Sequence, residues 1–429
     1  QTAIKTSTIT AVNGEGYFVD TSSGALTANL PAGSVGAIVA FKDYAQTFDT
    51  NNLTIAANGS EKIEGLTSDL ILKTEGVATT LVYGDATKGW QSVNSNEVIN
   101  AITYVAASGG TEATSGDYKI HTFTGPGNFT VTCAGSAAGS DTVEYIVVGG
   151  GGSGGGGYYG GGGGAGGFRF ASPSLAPATY PAKPLAAPAG LSVTAQAYPI
   201  TVGAGAAAQP SPCTQGNDGS VSTFSSISSA GGGGGGHWGN GAPVAPTRPG
   251  RPGGSGGGSG SNNDPSSAPG PTVGGTGNTP PVSPAQGTNG GNGCKSSPSG
   301  PNSTAPSAGG GGATAAGGNF TPGPGGPGAG GVGGAGGGVP NAFGTSGVNC
   351  GSNYYFSGGG AGAGSSNTGN VGGLGGGGKG GRYLSPLPAS NYAAAGTTNT
   401  GGGGGGMITP APASGAGGSG IVIIRYKFQ

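Results

Sequence analysis

Glycine makes up 106 of the 429 residues, and its uneven distribution is the strongest constraint on how the chain can fold. Residues 1–149 contain 18 glycines, and residues 150–429 contain the other 88. Because nearly one residue in three beyond position 149 has no side chain to bury, a conventional hydrophobic core cannot hold that part together. We therefore predict a domain boundary near Gly149.

The glycines are grouped in runs of four to six, such as 149–152, 160–164, 231–236 and 401–406, which recur at irregular intervals. This spacing lacks the Gly-X-Y repeat of collagen and argues against a collagen triple helix. Two structures are then open. One is a flexible linker, because glycine loses more backbone entropy on folding than any other residue. The other is a packed bundle of polyglycine II helices, which are extended, left-handed and turn once every three residues.

We favour the bundle, because Phe, Tyr and Pro punctuate the runs and strong strand signals flank the region. A flexible linker gains nothing from either feature. In polyglycine II every N–H and C=O is free to bond to a neighbouring helix, and the missing Cβ lets backbones approach closely. The regularity of the runs is interrupted by Pro-rich insertions at 171–188 and 242–252 and by a long insertion at 255–306.

Short strands are predicted in the first part of the chain by runs of β-branched and aromatic residues that turn residues separate. These runs are Tyr17–Val19, Ala37–Phe41, Leu53–Ile55, Leu70–Leu72 and Thr80–Tyr83. We predict a small all-β head over residues 1–97 and a connector over 98–116. Because so small a domain buries little surface, we expect the head to form a homotrimer.

Strand signals also bracket the glycine region, with Val143–Val148 directly before it and Ile421–Tyr426 directly after it. We predict that these two strands pair in one sheet, so that the glycine region leaves and returns to the same base. The fold class is then mainly β with irregular structure. The parts that follow the connector are base strands over 117–149, a polyglycine II body with aromatic and Pro-rich loops over 150–419, and a closing strand over 420–429.

The charges divide near the same position as the glycines. Residues 1–149 carry 6 Lys or Arg and 14 Asp or Glu, a net charge of −8, whereas residues 150–429 carry 9 and 2, a net charge of +7. The basic residues are too dilute for the Lys/Arg patches that hold phosphates of nucleic acids. Nucleic acid is therefore not an expected partner.

The four cysteines, Cys133, Cys213, Cys294 and Cys350, lie too far apart for a CxxC motif, and two histidines do not suggest a zinc site. Three disulfide pairings are open, and free thiols are equally expected. The longest aliphatic run, Ile421–Ile424, is far shorter than the roughly 20 residues that span a bilayer. We expect no metal, no cofactor and no membrane insertion.

Carboxylates are scarce in the glycine region, where Asp218 and Asp264 are the two acidic residues. A polysaccharide-cleaving enzyme needs two carboxylates on opposite sides of a glycosidic bond. Glu61 and Glu64 of the head lie in a turn-like stretch and are interpreted as solvated surface. His121 falls in a strand signal, and no Ser/His/Asp constellation is apparent. We predict that the chain is not an enzyme.

Three segments together closely resemble the glycine-rich domain of phage tail-fibre and tail-adhesin proteins. They are Gly116–Phe123, Val143–Val148 with the glycines after it, and Gly417–Tyr426. The resemblance covers about residues 116–426. It implies a scaffold of polyglycine II helices that displays loops toward a receptor.

The head resembles a second phage-fibre module through Tyr17–Thr21, Asn51–Ile55 and Gly89-Trp90. Both resemblances imply a virion protein of the tail fibre that acts at the host cell surface. The implied partners are a host surface glycan or outer-membrane protein, together with other tail proteins of the virion.

Aromatic residues cluster in the short insertions where a glycine scaffold would turn, and rings stack on sugars or fill receptor pockets at low entropic cost. The candidate receptor contacts are His237, Trp238, Tyr354, Tyr355, Phe356, Arg382, Tyr383 and Tyr392. The alternative is that such rings pack over the glycine layers, and for Tyr354–Phe356 that reading is equally favoured.

Two other functions compete with receptor binding. One is a passive structural fibre or decoration protein of the virion. The other is an ice-binding polyglycine protein, which the sequence disfavours because it lacks a repeated flat face of Thr or Ala.

Overall fold

The computed structural model describes most of the chain as two compact units. The described residues are 3–93, 103–136, 139–175, 178–210, 214–237, 249–261, 272–293, 306–323, 326–365, 370–383 and 388–429. The head unit comprises residues 1–106, 132–141 and 427–429, and the glycine unit comprises residues 107–131 and 142–426.

Strands are the main regular element, and no α-helix occurs among the described residues. The first strands are β1 (Ile9–Thr10), β2 (Glu15–Val19), β3 (Leu26–Asn29), β4 (Ile38–Asp43), β5 (Leu53–Ala56), β6 (Leu70–Leu72), β7 (Ala78–Asp85) and β8 (Gly89–Ser92). The next are β9 (Val105–Ser108), β10 (Thr111–Ser115), β11 (Tyr118–Phe123), β12 (Gly127–Ala134), β13 (Thr142–Val148), β14 (Phe168–Ala171), β15 (Ala186–Ala187), β16 (Leu191–Ser192) and β17 (Ala197–Thr201). The last are β18 (Ser222–Phe224), β19 (Ile227–Ser229), β20 (Thr321–Gly323), β21 (Gly326–Ala329), β22 (Gly337–Pro340), β23 (Val348–Cys350), β24 (Asn353–Phe356) and β25 (Ile421–Lys427). Short 3-10 helices occupy Pro173–Leu175, Lys183–Leu185, Asn341–Phe343 and Ala389–Asn391.

The head unit is built from two four-stranded sheets, with strand orders β1-β3-β5-β6 and β2-β4-β7-β8. The first five strands alternate between the sheets, so that β1 and β3, β3 and β5, and β2 and β4 pair in parallel. Alternate residues point inward and form one core, in which Phe41, Leu53 and Trp90 are buried. The predicted strands of the head are confirmed.

The base of the glycine unit is a sheet in which β13 and β25 are antiparallel neighbours. Val148 pairs with Ile421, and Glu144 pairs with Arg425. Both strands are buried along almost their whole length, as continuous runs of β-branched residues predict. The prediction that the glycine region leaves and returns to one sheet is confirmed.

The base sheet continues in the order β10-β11-β25-β13-β14-β15, with β16 pairing to β13. Two further sheets have the orders β19-β18-β17-β12-β9 and β22-β24-β23. A cluster of buried aliphatic and aromatic side chains lies on the base, among them Ile146, Phe168, Phe170 and Ile423. We call the strands of these three sheets, together with this cluster, the base.

The glycine segments between β13 and β25 form what we call the bundle, and its hydrogen bonds repeat every three residues. Along the run 149–156, every third amide donates to the same neighbouring segment, at N···O distances of 2.8–3.0 Å. The bonds are Gly149, Gly152 and Gly155 to Gly167, Gly164 and Gly161; Gly150, Ser153 and Gly156 to Ser220, Asn217 and Thr214; and Gly151 and Gly154 to Gly418 and Gly415.

The carbonyls of the run 149–156 accept hydrogen bonds from three further segments. The bonds are Gly232 and Gly235 to Gly150 and Ser153, Ala206 to Gly151, and Gly404 and Met407 to Gly152 and Gly155. The run is therefore surrounded by six neighbours. A three-residue repeat with all bonds made to other segments is the pattern of polyglycine II. The predicted fold class, mainly β with a polyglycine II bundle, is confirmed.

Close packing inside the bundle explains why the runs are glycine. A Cβ atom on Gly163 would lie 2.1 Å from the carbonyl oxygen of Gly152, and one on Gly152 would lie 2.3 Å from that of Gly233. Contacts this short do not occur between nonbonded heavy atoms, so only glycine allows the backbones to approach. Ser153 and Ala165 are fully buried in the same runs and mark positions where a small side chain fits.

The runs extend away from the base. The run 149–156 starts directly after β13 and pairs antiparallel with the run 160–167, which ends directly before β14. The turn that contains Tyr158 and Tyr159 therefore lies at the opposite end of the bundle from the base. We call this the distal end.

Other segments finish near the same turn. Gly160 N donates to Met407 O at 3.0 Å, Ala363 N donates to Gly160 O at 3.1 Å, and Ser261 N donates to Tyr159 O at 3.3 Å. The described residues of the distal end include Tyr158, Tyr159, His237, Ser261, Ser365, Arg382, Tyr383, Tyr392 and Ile408.

Candidate functional site

The predicted contact residues are divided between the two ends of the glycine unit. Tyr354, Tyr355 and Phe356 lie in β24, a strand of the base, and not in a loop. Phe356 is 1% exposed in the cluster that also contains Phe168. Its candidacy as a contact residue is therefore corrected, because a ring buried in the base cannot meet a receptor.

The other two rings of β24 are half-buried. Tyr354 packs against the base cluster, and the ring of Tyr355 covers Gly338, where a Cβ would lie 2.6 Å from the ring. These rings cover glycine backbone, which is the alternative reading of the sequence for this segment.

His237 and Trp238 follow the run 231–236. His237 is 9% exposed, and its carbonyl oxygen lies where a Cβ on Gly260 would be 2.1 Å away. His237 is thus nearly buried in the packed distal end, and its contact with a receptor stays a prediction. Trp238 lies outside the described residues.

Arg382, Tyr383 and Tyr392 are brought together at the distal end. Arg382 N donates to Asn391 O at 2.9 Å, and Tyr383 N donates to Gly364 O at 3.0 Å. Tyr383 is 42% exposed. Tyr392 packs against a small buried cluster that includes Tyr159.

Tyr158 and Tyr159 belong to the same surface and were missed in the sequence. Tyr158 is 45% exposed, whereas Tyr159 is buried. Burial raises the pKa of Tyr159, a hydrogen bond with the Ser365 side chain lowers it, and nearby Tyr383 raises it. The signal for this pair was available, because two adjacent tyrosines interrupt an otherwise all-glycine stretch from 154 to 164.

Two basic side chains lie near these rings. Gly378 and Gly381 donate to Gly403 and Gly406, so this segment also repeats every three residues. Lys379 and Arg382 are three residues apart and therefore lie on the same side of the segment. Lys379 Nζ donates to the carbonyl oxygen of Ser390.

The guanidinium of Arg382 has a donor that is unpaired among the described residues. Its Nε is buried and has no hydrogen-bond partner among the described residues. The one described carboxylate of residues 150–429, Asp218, is paired with Arg251 at 2.9 Å. The described part of the distal end thus combines exposed tyrosine rings with two basic groups.

A buried ion pair joins the two strands that close the base. Arg425 Nη1 donates to Glu144 Oε2, and also to Ser174 Oγ at 2.8 Å. Ser174 N donates to Glu144 Oε1 at 2.7 Å, and the Arg425 guanidinium lies 3.5 Å from the ring centre of Tyr118. Both charged side chains are buried, which indicates a structural role. The sequence did not identify this pair.

His121 is buried in the base beside Tyr426. Its Nδ1 lies 2.7 Å from Gly109 O, and its Nε2 lies 3.1 Å from the Tyr426 hydroxyl. Burial lowers the pKa of His121, opposed by the Gly109 bond and by Glu112. Burial raises the pKa of Tyr426 to about 12. Both groups are therefore neutral near pH 7 and serve packing.

Among the described residues, no group of three or more His, Cys, Asp or Glu side chains could hold a metal ion, and no helix is long and apolar enough to cross a membrane. Cys133 and Cys350 are free thiols, whereas Cys213 and Cys294 lie outside the described residues.

Comparison with known families gives two matches. Residues 122–427 match a family model described as a glycine-rich domain. Residues 1–103 match a model described as the N-terminal part of a bacteriophage T4 gp9/10-like protein. No curated protein matches the chain. The first match covers well over half of the sequence.

Proposed function

Because the chain belongs to the glycine-rich domain family, we propose that it is a bacteriophage tail fibre or adhesin whose distal end binds a receptor on the host cell. The match of the head to a phage tail protein supports a structural role in the tail, in association with other virion components. Receptor binding is the further step that we propose.

The observation that carries the proposal is the position of Tyr158 and Tyr383. Both rings are more than two-fifths exposed, although they are held at the end of a closely hydrogen-bonded bundle. Exposed aromatic rings on a rigid frame bind at low entropic cost. The glycines themselves have no side chains with which to recognise a partner, so recognition falls to the residues at the turns.

A binding role is also favoured over catalysis in the body. Its described acidic side chain, Asp218, is paired with Arg251 and accepts a hydrogen bond from Gly234 N. We propose no reaction for this chain.

We also propose a homotrimer, joined through the surface of the head and not through its core. The head does not need other copies to complete its core, since Trp90 is already fully buried within one chain. Phe18 and Tyr44 form an exposed aromatic pair on the head, with ring centres 6.4 Å apart, and offer a surface for neighbouring tail subunits. The mass of the purified chain by light scattering would test the threefold state.

The test of receptor binding compares tyrosines at the two ends of the glycine unit. Virions that carry Tyr383→Ala are expected to adsorb to host cells about tenfold or more slowly, the loss typical of an aromatic hot spot. Virions that carry Tyr355→Ala, with a ring in the base, are expected to adsorb normally. Particle yield and electron microscopy check that both variants assemble.

Unchanged adsorption of assembled Tyr383→Ala and Tyr158→Ala virions would contradict the proposal. That result would favour the second candidate, a structural fibre that does not itself touch the receptor.

A further inference from the structure

The positive charges of the distal end indicate which class of ligand it can bind. Lys379 and Arg382 lie on one side of a segment with a three-residue repeat, next to the exposed ring of Tyr383. Within residues 150–429, the described acidic side chain is Asp218, and it is paired with Arg251. The exposed ring of Tyr383 is thus accompanied by the positive charges of Arg382 and Lys379.

Arg382 provides a second and independent observation. Its Nε is buried without a hydrogen-bond partner among the described residues. A buried polar group without a partner is costly, and an arginine fork is best satisfied by a carboxylate or a phosphate that accepts two parallel hydrogen bonds. An anionic group is the partner best suited to such a guanidinium.

The exposed tyrosine rings indicate which kind of molecule carries the anionic group. Tyr158 and Tyr383 are exposed, and tyrosine rings stack on the apolar faces of sugars while their hydroxyls bond to sugar hydroxyls. Tyr159 forms a hydrogen bond with the Ser365 side chain and lies near Tyr383. Arg382 is therefore next in sequence to a ring that lies near Tyr159, the neighbour of Tyr158.

We propose that the ligand of the distal end is an anionic saccharide, bound through its carboxylate or phosphate by Arg382 and Lys379 and stacked on Tyr158 and Tyr383. This inference rests on the proposed function, because it takes the distal end as the receptor contact. The four side chains come from two short segments, and so small a set suits a few sugar rings. A protein partner would instead cover roughly 800 Å² on each side of the interface.

The test measures binding of the full chain to three trisaccharides by calorimetry. The probes are a galacturonic acid trisaccharide with carboxylates, maltotriose that carries one phosphate, and unmodified maltotriose. At least one charged probe is expected to bind about tenfold or more tightly than maltotriose, with an advantage that shrinks as salt is added. The carboxylate and phosphate probes distinguish the two sources of the anion.

Variants assign the effect to the named residues. Arg382→Gln is expected to remove the preference for the charged probe, and Lys379→Gln is expected to reduce it. The matched controls are Arg169→Gln and Lys183→Gln in the base, where Lys183 Nζ donates to Ala178 O much as Lys379 bonds to Ser390. Both controls are expected to retain the preference.

Three results would overturn the inference: equal binding of charged and neutral probes, no binding of any probe, or an equal loss in the base controls. If adsorption still depends on Tyr383 when no probe binds, the receptor is of another class, such as an outer-membrane protein. In that case the proposed function stands and this inference fails. If adsorption does not depend on Tyr383, the proposed function fails first.

Discussion

The interior of the head and the interior of the bundle are formed by different groups. In the head, Phe41, Leu53 and Trp90 are at most 2% exposed and pack on one another as side chains. In the bundle, Gly152 and Gly163 pack against carbonyl oxygens, and their own amides donate to other segments. The first interior is apolar and nondirectional, whereas the second is a lattice of directional hydrogen bonds.

This difference determines which changes each region tolerates. A side-chain core loses stability when volume is removed, and it accepts swaps that conserve volume. A backbone lattice has little side-chain volume to lose, but it is damaged when a Cβ is added where two backbones touch. We therefore expect the head to lose stability when a buried side chain is shortened, and the bundle to lose stability when a glycine gains a side chain.

The largest effect is expected from removing the biggest buried ring of the head. Trp90→Ala should lower the free energy of unfolding of the head by about 3–5 kcal/mol, because it leaves a cavity in the core. Trp90→Phe should cost clearly less, since the indole Nε1 has no hydrogen-bond partner among the described residues. Calorimetric unfolding of the full chain measures both. Equal losses for Ala and Phe would contradict a core that is held by packed volume.

An added methyl group in the bundle should have the next largest effect. Gly163→Ala places a Cβ 2.1 Å from Gly152 O, so neighbouring segments must separate and weaken their hydrogen bonds. The expected loss is about 2–4 kcal/mol from overpacking and lost bonds. Thermal unfolding of the full chain is the measurement.

Gly125→Ala is the matched control for this substitution, because a Cβ there has no atom within 4 Å. Its effect should be within about 0.5 kcal/mol. If Gly163→Ala proved equally mild, the bundle would have to be loosely packed, and its contrast with the head would disappear.

The smallest expected effect is a dependence of stability on pH, which we predict for the base and not for the bundle. The pKa of His121 is lowered in the folded state, so the unfolded chain takes up a proton first as the pH falls. The stability contributed by neutral His121 is therefore present above the ordinary histidine pKa of about 6.5 and is lost as the pH falls below it. One proton gives at most about 1.4 kcal/mol per pH unit.

Unfolding of the wild type and of His121→Gln between about pH 7 and about pH 5 tests this. The variant should be less stable at pH 7, but its stability should depend less on pH. Parallel pH profiles would exclude His121 as the titrating group. Hydrogen bonds of the bundle join backbone amides, which do not titrate in this range.

Much of the fold was accessible from local sequence. Strand signals such as Val143–Val148 and Ile421–Tyr426 predicted their pairing, because long runs of β-branched residues suit a buried sheet. The glycine runs predicted the bundle, because close backbone approach excludes other residues. The candidate site was harder to predict. Arg382 and Tyr383 were predicted from their own segment, but Tyr159, which lies near Tyr383, is 224 positions earlier than Tyr383 and meets it only through the packing of the runs.

The errors have the same origin. Phe356 was predicted to be an exposed ring because its segment lies between glycine runs. However, β24 pairs with β22 and β23, and this pairing buries the Phe356 ring in the base. Glu144 and Arg425 fall within predicted strands, but their ion pair depends on the register between two strands that are more than 250 residues apart in the chain. A single sequence without long-range contacts does not specify that register.

The sequence by itself determined that side chains form the interior of the head and that backbone forms the interior of the body, because glycine has nothing else to bury. It also determined the sheet from which the bundle leaves and to which it returns. Tertiary structure decided which end of the bundle each ring occupies and which charges meet. Those outcomes depend on how many three-residue turns separate a side chain from the base and on which segments become neighbours in the lattice.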